Sequence, residues 1–162
     1  MTTVLVLREV EPGDSERLWL WATDPMVRAT AFSPEAIPRD AHDRWFAGRL
    51  ADPATVMFIA ESPTGHPVGQ IRFDVNPEGA ADVDVTIDPG HRGQGLGRQL
   101  IVEGVARLRA LRPGRAVRAL VKASNMASRR AFEHAGFVLV AHEQRHRDDV
   151  CVYVHRLNGD RP

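Results

Sequence analysis

The stretch Val83–Leu111, VDVTIDPGHRGQGLGRQLIVEGVARLRAL, decides the fold. Val83, Val85 and Ile87 alternate with Asp84 and Thr86, the period of a strand with one face buried. Pro89-Gly90 ends that strand. Glycines follow at 93, 95 and 97, and Leu96, Leu100, Ile101, Val105, Leu108 and Leu111 then recur at the spacing of an amphipathic helix. The unit is strand, glycine turn, helix. The opening N–H groups of a helix lack carbonyl partners, and residues without a Cβ let a ligand come close to them. With the partial positive charge of the helix start added, the turn is an anion cradle suited to a phosphate or pyrophosphate.

Two common phosphate loops do not fit. A Walker-type loop needs Gly-Lys-Ser/Thr, whereas this chain has Gly97-Arg98-Gln99. A dinucleotide fingerprint needs G-x-G-x-x-G, whereas the spacing here is Gly93-x-Gly95-x-Gly97. What remains is Arg92-x-x-Gly95-x-Gly97, placed directly after a strand that ends in Asp88-Pro89. It resembles the acetyl-coenzyme A signature of the GNAT N-acetyltransferases, Q/R-x-x-G-x-G/A. A second block, Asn125-x-x-Ser128 followed by Ala131 to Phe137, resembles the family's asparagine-led helix ending in Gly-Phe, and it lies at the family's separation from the first.

Outward from these blocks the rest of the chain reads as one domain. Toward the N-terminus, Val4–Val10 reads as a strand, and a helix capped by Asp14 or Ser15 runs to Ala22. Asp24-Pro25 breaks it, and Pro34 and Pro38 punctuate a connecting segment. Asp40 then caps a helix carrying His42, Trp45, Phe46, Arg49 and Leu50 on one face. Val56–Glu61 and Val68–Val75 form a hairpin around Ser62–His66. Beyond the glycine helix, Ala116–Ala123 is a strand, and Asn125 caps a helix that Gly136 ends. Phe137–Ala141 and Val150–Leu157 are strands around a charged loop, His142–Asp149. The expectation is a single α+β domain over residues 1–157 with a frayed tail at 158–162. The resemblance adds a mixed, mostly antiparallel central sheet flanked by helices, with two splayed parallel strands at the cofactor site.

The 162 residues suffice for one core without staples, and the lone Cys151 has no partner for an internal disulfide. No apolar run reaches the length of a signal-peptide core or a membrane span, so a cytoplasmic protein is expected. Formal net charge is zero, which calls for neither nucleic acid nor an anionic membrane. Its distribution is uneven: residues 1–91 hold 7 basic and 15 acidic groups, residues 92–162 hold 14 and 6. A basic half that begins at the anion cradle suits a ligand such as coenzyme A.

The resemblance implies acetyl-CoA as cosubstrate and no metal. It assigns Val85, Thr86 and Ile87 to main-chain contact with the pantetheine arm, Arg92, Gly93, Gln94, Gly95, Leu96 and Gly97 to the pyrophosphate, and the Asn125 side chain to the arm. Arg129 and Arg130 are candidates for the ribose phosphate. Direct attack by an amine on the thioester needs a base, for which Asp84, Asp82, Glu61 and His91 are the candidates. It also needs a donor for the developing oxyanion, expected from a backbone N–H near Ile87. Many relatives place a tyrosine acid where this chain has Phe132, which has no proton to give; Ser128 one turn earlier is the candidate substitute. Tyr153 is expected to be packed. His142 and His146 lack a third ligand for a metal.

Trp21 to Arg28, His42-x-x-Trp45-Phe46 and Gly69 to Phe73 resemble the subgroup that acetylates the 4-amino group of UDP-linked deoxy-amino sugars. Arg28, His42, Trp45 and Arg72 are then the acceptor-binding residues. Acetyltransferases acting on protein N-termini, peptides or antibiotics share parts of the pattern, and a non-catalytic acyl-CoA sensor is the alternative outside enzymes. The expected partner is a small-molecule amine, without nucleic acid or membrane, and a homodimer is compatible with the sequence.

Overall fold

The computed structural model describes residues 4–156. Its elements are β1 (Val6–Glu9), α1 (Ser15–Ala22), α2 (Pro25–Thr30), α3 (Arg39–Ala51), β2 (Thr55–Glu61), β3 (Pro67–Val75), β4 (Ala81–Ile87), α4 (Leu96–Leu111), β5 (Val117–Lys122), α5 (Met126–His134), β6 (Val138–Arg145) and β7 (Asp148–His155). The strands form one seven-stranded sheet in the order β1-β2-β3-β4-β5-β7-β6. Every neighbouring pair is antiparallel except β4 with β5. This is the expected α+β architecture. No described helix is long and apolar enough to cross a membrane.

The two faces of the sheet are covered differently. Alternation puts Phe58, Ile71, Phe73, Val85 and Ile87 on the face that α4 covers with Leu100, Ile101 and Leu108. Leu100 and Leu108 are fully buried, and burial of each such side chain stabilises by roughly 1.5–3 kcal/mol. The helix lies so close to β3 that a Cβ on Gly104 would sit 2.5 Å from Ile71 Cδ1. On the other face, Leu18 and Trp21 of α1 and Phe46 of α3 pack on Met57 and Ile59 of β2. Farther along this second face the strands carry polar side chains, and the two opposite coverings leave a cleft at β4.

Several local expectations are corrected. Strand β1 is shorter than Val4–Val10. Asp14 precedes α1 without capping it, because its carboxylate is engaged by both terminal nitrogens of Arg8 at 2.8 Å and by the Glu11 N–H. Asp24-Pro25 ends α1 and also starts α2: Asp24 accepts from the Met26 and Val27 N–H groups, and a proline at the first helical position forfeits no bond. Asp40 lies inside the first turn of α3, paired with Arg44, and Pro38 is the residue that precedes the helix. Leu50 is exposed, not part of the buried face. The span His142–Asp149 is a strand hairpin in place of a loop: β6 and β7 pair through Arg145↔Asp148, and His146 takes the left-handed conformation (φ 55°) in the turn. As the sheet edge, β6 is wetted on most positions, so charged residues are no obstacle to a strand there. The tail from residue 157 onward lies outside the described residues.

Candidate active site

The cleft has a volume of about 1210 Å³ and runs between β4, the glycine turn and α5 on one side and α1, α2 and α3 on the other. Its cofactor half is made by main chain. Strands β4 and β5 pair only through Ala81↔Val117 and Asp82↔Arg118, and no further rung is formed. Asp88 N–H bonds Val68 O, which sets the hydrogen-bonded registers of β3 and β4 at alternate residues. Thr86 and Asp84 therefore spend their backbone groups on β3. Val85 and Ile87 direct theirs to the other side, where β5 has drawn away. Of the three residues expected to offer main chain to a pantetheine arm, Val85 has both groups to offer, Ile87 its N–H only, because its carbonyl accepts from Arg92, and Thr86 neither. Thr86 contributes a hydroxyl on the opposite face, 3.3 Å from Gln70 Nε2.

The turn that follows is built to expose amides. Asp88 caps a 3-10 turn over Pro89–His91 by accepting from the Gly90 N–H. Gly93 and Gly95 have φ of 75° and 76°, a region that side chains disfavour, and a Cβ on either would meet nothing within 4 Å. Gly95 is the residue before α4, and the first return bond is Gln99 N–H to Gly95 O. The N–H groups of Leu96, Gly97 and Arg98 have no partner among the described residues, and the start of a sixteen-residue helix stands behind them. Gly97 lies within α4 facing α5, where a Cβ would come 3.7 Å from that of Ala131. Arg92 folds back: its Nε donates to Ile87 O at 3.3 Å and its Nη2 pairs with Asp24 at 3.0 Å. Gln94 is exposed and does not line the cleft.

The acceptor half is made by side chains. Register places Gln70 opposite Thr86 and Arg72 opposite Asp84, all four on the face turned to α1 and α3. Gln70 donates to Asp84 Oδ2 at 2.9 Å, and Arg72 bonds Asp74 at 2.8 Å with Asp84 at 3.7 Å. The Arg72 guanidinium also lies 5.0 Å from the centre of the Trp45 ring. His42, buried beside Trp45 and Phe46, has its imidazole pushed below the ordinary range by burial, with Arg39 adding to the shift and Asp43 opposing it. Arg28 lines the cleft, but its Nε and Nη1 are bound to the carbonyls of Ala22, Ser33 and Glu35.

The structure separates the candidate bases. Asp84 lines the cleft with its side chain half exposed. Glu61 does not line it, being held 2.7 Å from Arg8 at the β1–β2 edge, and Asp82 forms a two-pronged pair with Arg118. His91 lines it, with Nδ1 2.9 Å from Asp88. Ser128 and Phe132 both line it on α5. Asn125 caps that helix through the Ser128 N–H while also facing the cleft. Arg129 is turned away, bonded to Tyr153 Oη and Ala123 O, so it is not placed for a ribose phosphate, and neither it nor Arg130 lines the cleft. Tyr153 is fully buried, donates to Glu133 at 2.7 Å and is packed as expected.

Three residues escaped sequence reading. Arg98 and Lys122 are cleft-lining cations on α4 and β5, and Arg98 has no ion-pair partner among the described residues. Asp88 joins the halves: it accepts from Trp21 Nε1 at 2.8 Å and from His91, tying α1 to the glycine turn. Burial would raise its carboxyl, but the hydrogen bonds from His91, Trp21 and Gly90 outweigh that and hold it below the ordinary carboxylate range. An aspartate followed by proline after a strand is a visible capping signal. That it also reaches a tryptophan far away in sequence is not visible.

A strand freed on one edge, running into an amide-lined turn at a helix start, defines the class. The family model for the acetyltransferase (GNAT) domain matches residues 5–138, and the chain belongs to that family. Among characterised relatives, it is similar to a mycothiol acetyltransferase from Thermobispora bispora, 36% identical over 145 residues, which cover 81% of this chain and 45% of that protein. The chain thus spans about half the length of the curated relative it matches. Among solved structures it is similar to spermidine N-acetyltransferase from Vibrio cholerae in complex with CoA and spermine, with a TM-score of 0.82 at 21% identity, covering 93% of this chain and 94% of that one. It is also similar to an aminoglycoside acetyltransferase in complex with coenzyme A and kanamycin, with a TM-score of 0.79 at 19% identity and 94% of each chain covered. None of these relatives is an amino-sugar-nucleotide acetyltransferase.

Proposed function

We propose that this chain is an acetyl-CoA-dependent N-acetyltransferase that acylates a primary amine of a small molecule. The observation that carries the proposal is the pairing of an open β4 edge at Val85 and the Ile87 N–H with the unpartnered amides of Leu96, Gly97 and Arg98 at the start of α4. Acetyl-CoA bound there supplies an acetyl thioester. Val85 and the open edge of β4 suit its arm, the turn amides its pyrophosphate, and Arg98 and Lys122 its remaining charge.

Asp84, the one carboxylate among the described lining residues, is the base that takes the amine proton, directly or through a water. Gln70 orients it with a donated hydrogen bond, and the Arg72 guanidinium stands 3.7 Å away. The Ile87 N–H supports oxyanion stabilisation; loss of such a donor typically costs about 10²–10³ in rate. As the amine nitrogen bonds to the acyl carbon and the carbon–sulfur bond breaks, the departing thiolate takes a proton from water or the Ser128 hydroxyl. Phe132, stacked edge-on against Phe137, has none to give.

The amino-sugar nucleotide reading would use Arg28 and Arg72 to meet a diphosphate. It is the weaker form of the proposal, because Arg28 is spent on carbonyls and Arg72 on Asp74. The test is a melting curve with acetyl-CoA followed by thiol release across amines. An unmoved curve removes the cofactor assignment; a shift with no turnover on any amine replaces the enzyme by a sensor.

A further inference from the structure

Resting on the acyl-transfer reading, the geometry points to a particular acceptor class: a primary amine with a single cationic centre on an apolar or aromatic body. Charge is the first reason. The described lining of the cleft carries one carboxylate, Asp84, against Arg28, Arg72, Arg92, Arg98 and Lys122. Asp84 already has Arg72 at 3.7 Å, so it can take one ammonium, and a second would find no other carboxylate among the described lining residues.

The second reason is that the aromatic platform is taken. Arg72 and Arg49 stand 5.0 and 5.8 Å from the Trp45 ring centre, so two cations already use the ring on which a second amine would otherwise rest. What α2, the segment between α2 and α3, and β2 present instead is apolar: Met26, Val27, Phe32, Ile37 and Met57. Burial of an organic body there is driven by the hydrophobic effect.

A third feature fixes where the amine belongs. Gln70 and His42 are 6% and 4% exposed, both line the cleft, and each keeps one polar atom, Oε1 and Nδ1, without a partner. Both atoms are shielded from the cleft, so the acceptor within reach of an amine is the half-exposed carboxylate of Asp84. An amine nitrogen can donate to Asp84 Oδ1, which has no partner among the described residues, while Gln70 and Arg72 hold Oδ2. Spermine and kanamycin, the ligands of the two solved relatives, are polycations and are the contrast.

Binding and turnover are read separately on the intact chain. Calorimetric titration of the CoA-saturated protein is expected to give 2-phenylethylamine about tenfold or more tighter binding than spermine or kanamycin. Asp84→Asn is expected to weaken 2-phenylethylamine about tenfold, and Arg72→Gln to strengthen spermine at least about threefold. Equal or reversed ranking in the wild type, or no binding of 2-phenylethylamine, overturns the inference. Thiol release with acetyl-CoA then tests the enzyme itself. Turnover on spermine in preference to 2-phenylethylamine leaves the transferase standing and removes this acceptor class; tight 2-phenylethylamine binding without turnover does the reverse.

Discussion

The two halves of the cleft bind by different means. The cofactor half offers backbone: amides of the glycine turn and the unpaired edge of β4. The acceptor half offers side chains of Gln70, Arg72, Asp84, His42 and Trp45, drawn from β3, β4 and α3. Backbone recognition tolerates almost any residue that permits the shape, so it is robust and generic. Side-chain recognition depends on each partner's register, so it is specific and can be lost by one substitution. The two are joined by Trp21–Asp88 and Asp24–Arg92, so a disturbance on one side has a route to the other.

The largest expected effect breaks the backbone half. Acetyl-CoA at about 100 times its dissociation constant should stabilise the wild type by about 2.7 kcal/mol, and Gly95→Val, which strains a left-handed residue and fills the approach, should lose that shift in a melting curve. Retention of the full shift would move the cofactor elsewhere. Next, Asp84→Asn should lower kcat/KM by about 10²–10⁴ in a thiol-release assay while the acetyl-CoA melting shift persists. If the shift disappears as well, the halves are not separable as described.

Asp88→Asn tests the joint. Weakening the charged bonds to Trp21 and His91 should cost about 1–3 kcal/mol in denaturant unfolding and loosen both ligands together. A change in only one affinity would mean the tether is local. Ser128→Ala should lower kcat less than about tenfold, because a thiolate leaves without much help and water reaches the site; a larger loss would make Ser128 the acid that Phe132 cannot be.

The smallest effect is one of pH. His42 and His155 both have folded-state values lowered by burial, so the unfolded chain binds more protons than the folded one below the ordinary histidine value of about 6.5. Stability should therefore rise with pH up to about 6.5 and level off above it. His42→Gln should flatten part of that slope in melting curves taken between about pH 5 and 7, with His155 responsible for what remains.

How much was legible follows the same division. The strand, the turn and α4 were readable because their signals are local: alternation, a proline-glycine stop, glycines at the positions that need positive φ, and helical spacing of leucines. The hairpin of β2 and β3 was readable for the same reason, its turn closed by Ser62 N–H to His66 O. Strands β6 and β7 were read, but their charged continuation through His142–Asp149 was missed because an edge strand exposed to water carries no apolar alternation. Asp24-Pro25 was read as a break alone, since a cap and a stop share their residue types.

Among site residues, Gly93, Gly95, Leu96 and Gly97 line the cleft while Gln94 does not, and Arg92, Glu61, Arg28 and Arg129 are drawn into structural pairs that no spacing announces. By itself the sequence determined the strand, glycine turn and helix of the backbone half, because a backbone shape is encoded by the few residues that adopt it. Only the tertiary structure decided that Asp84 faces the cleft, that Asp82 and Glu61 are spoken for, and that Asp88 holds α1 to the glycine turn. Those outcomes depend on which side chains meet across strands and helices far apart in the chain, and a charge takes its role from the partner it finds there.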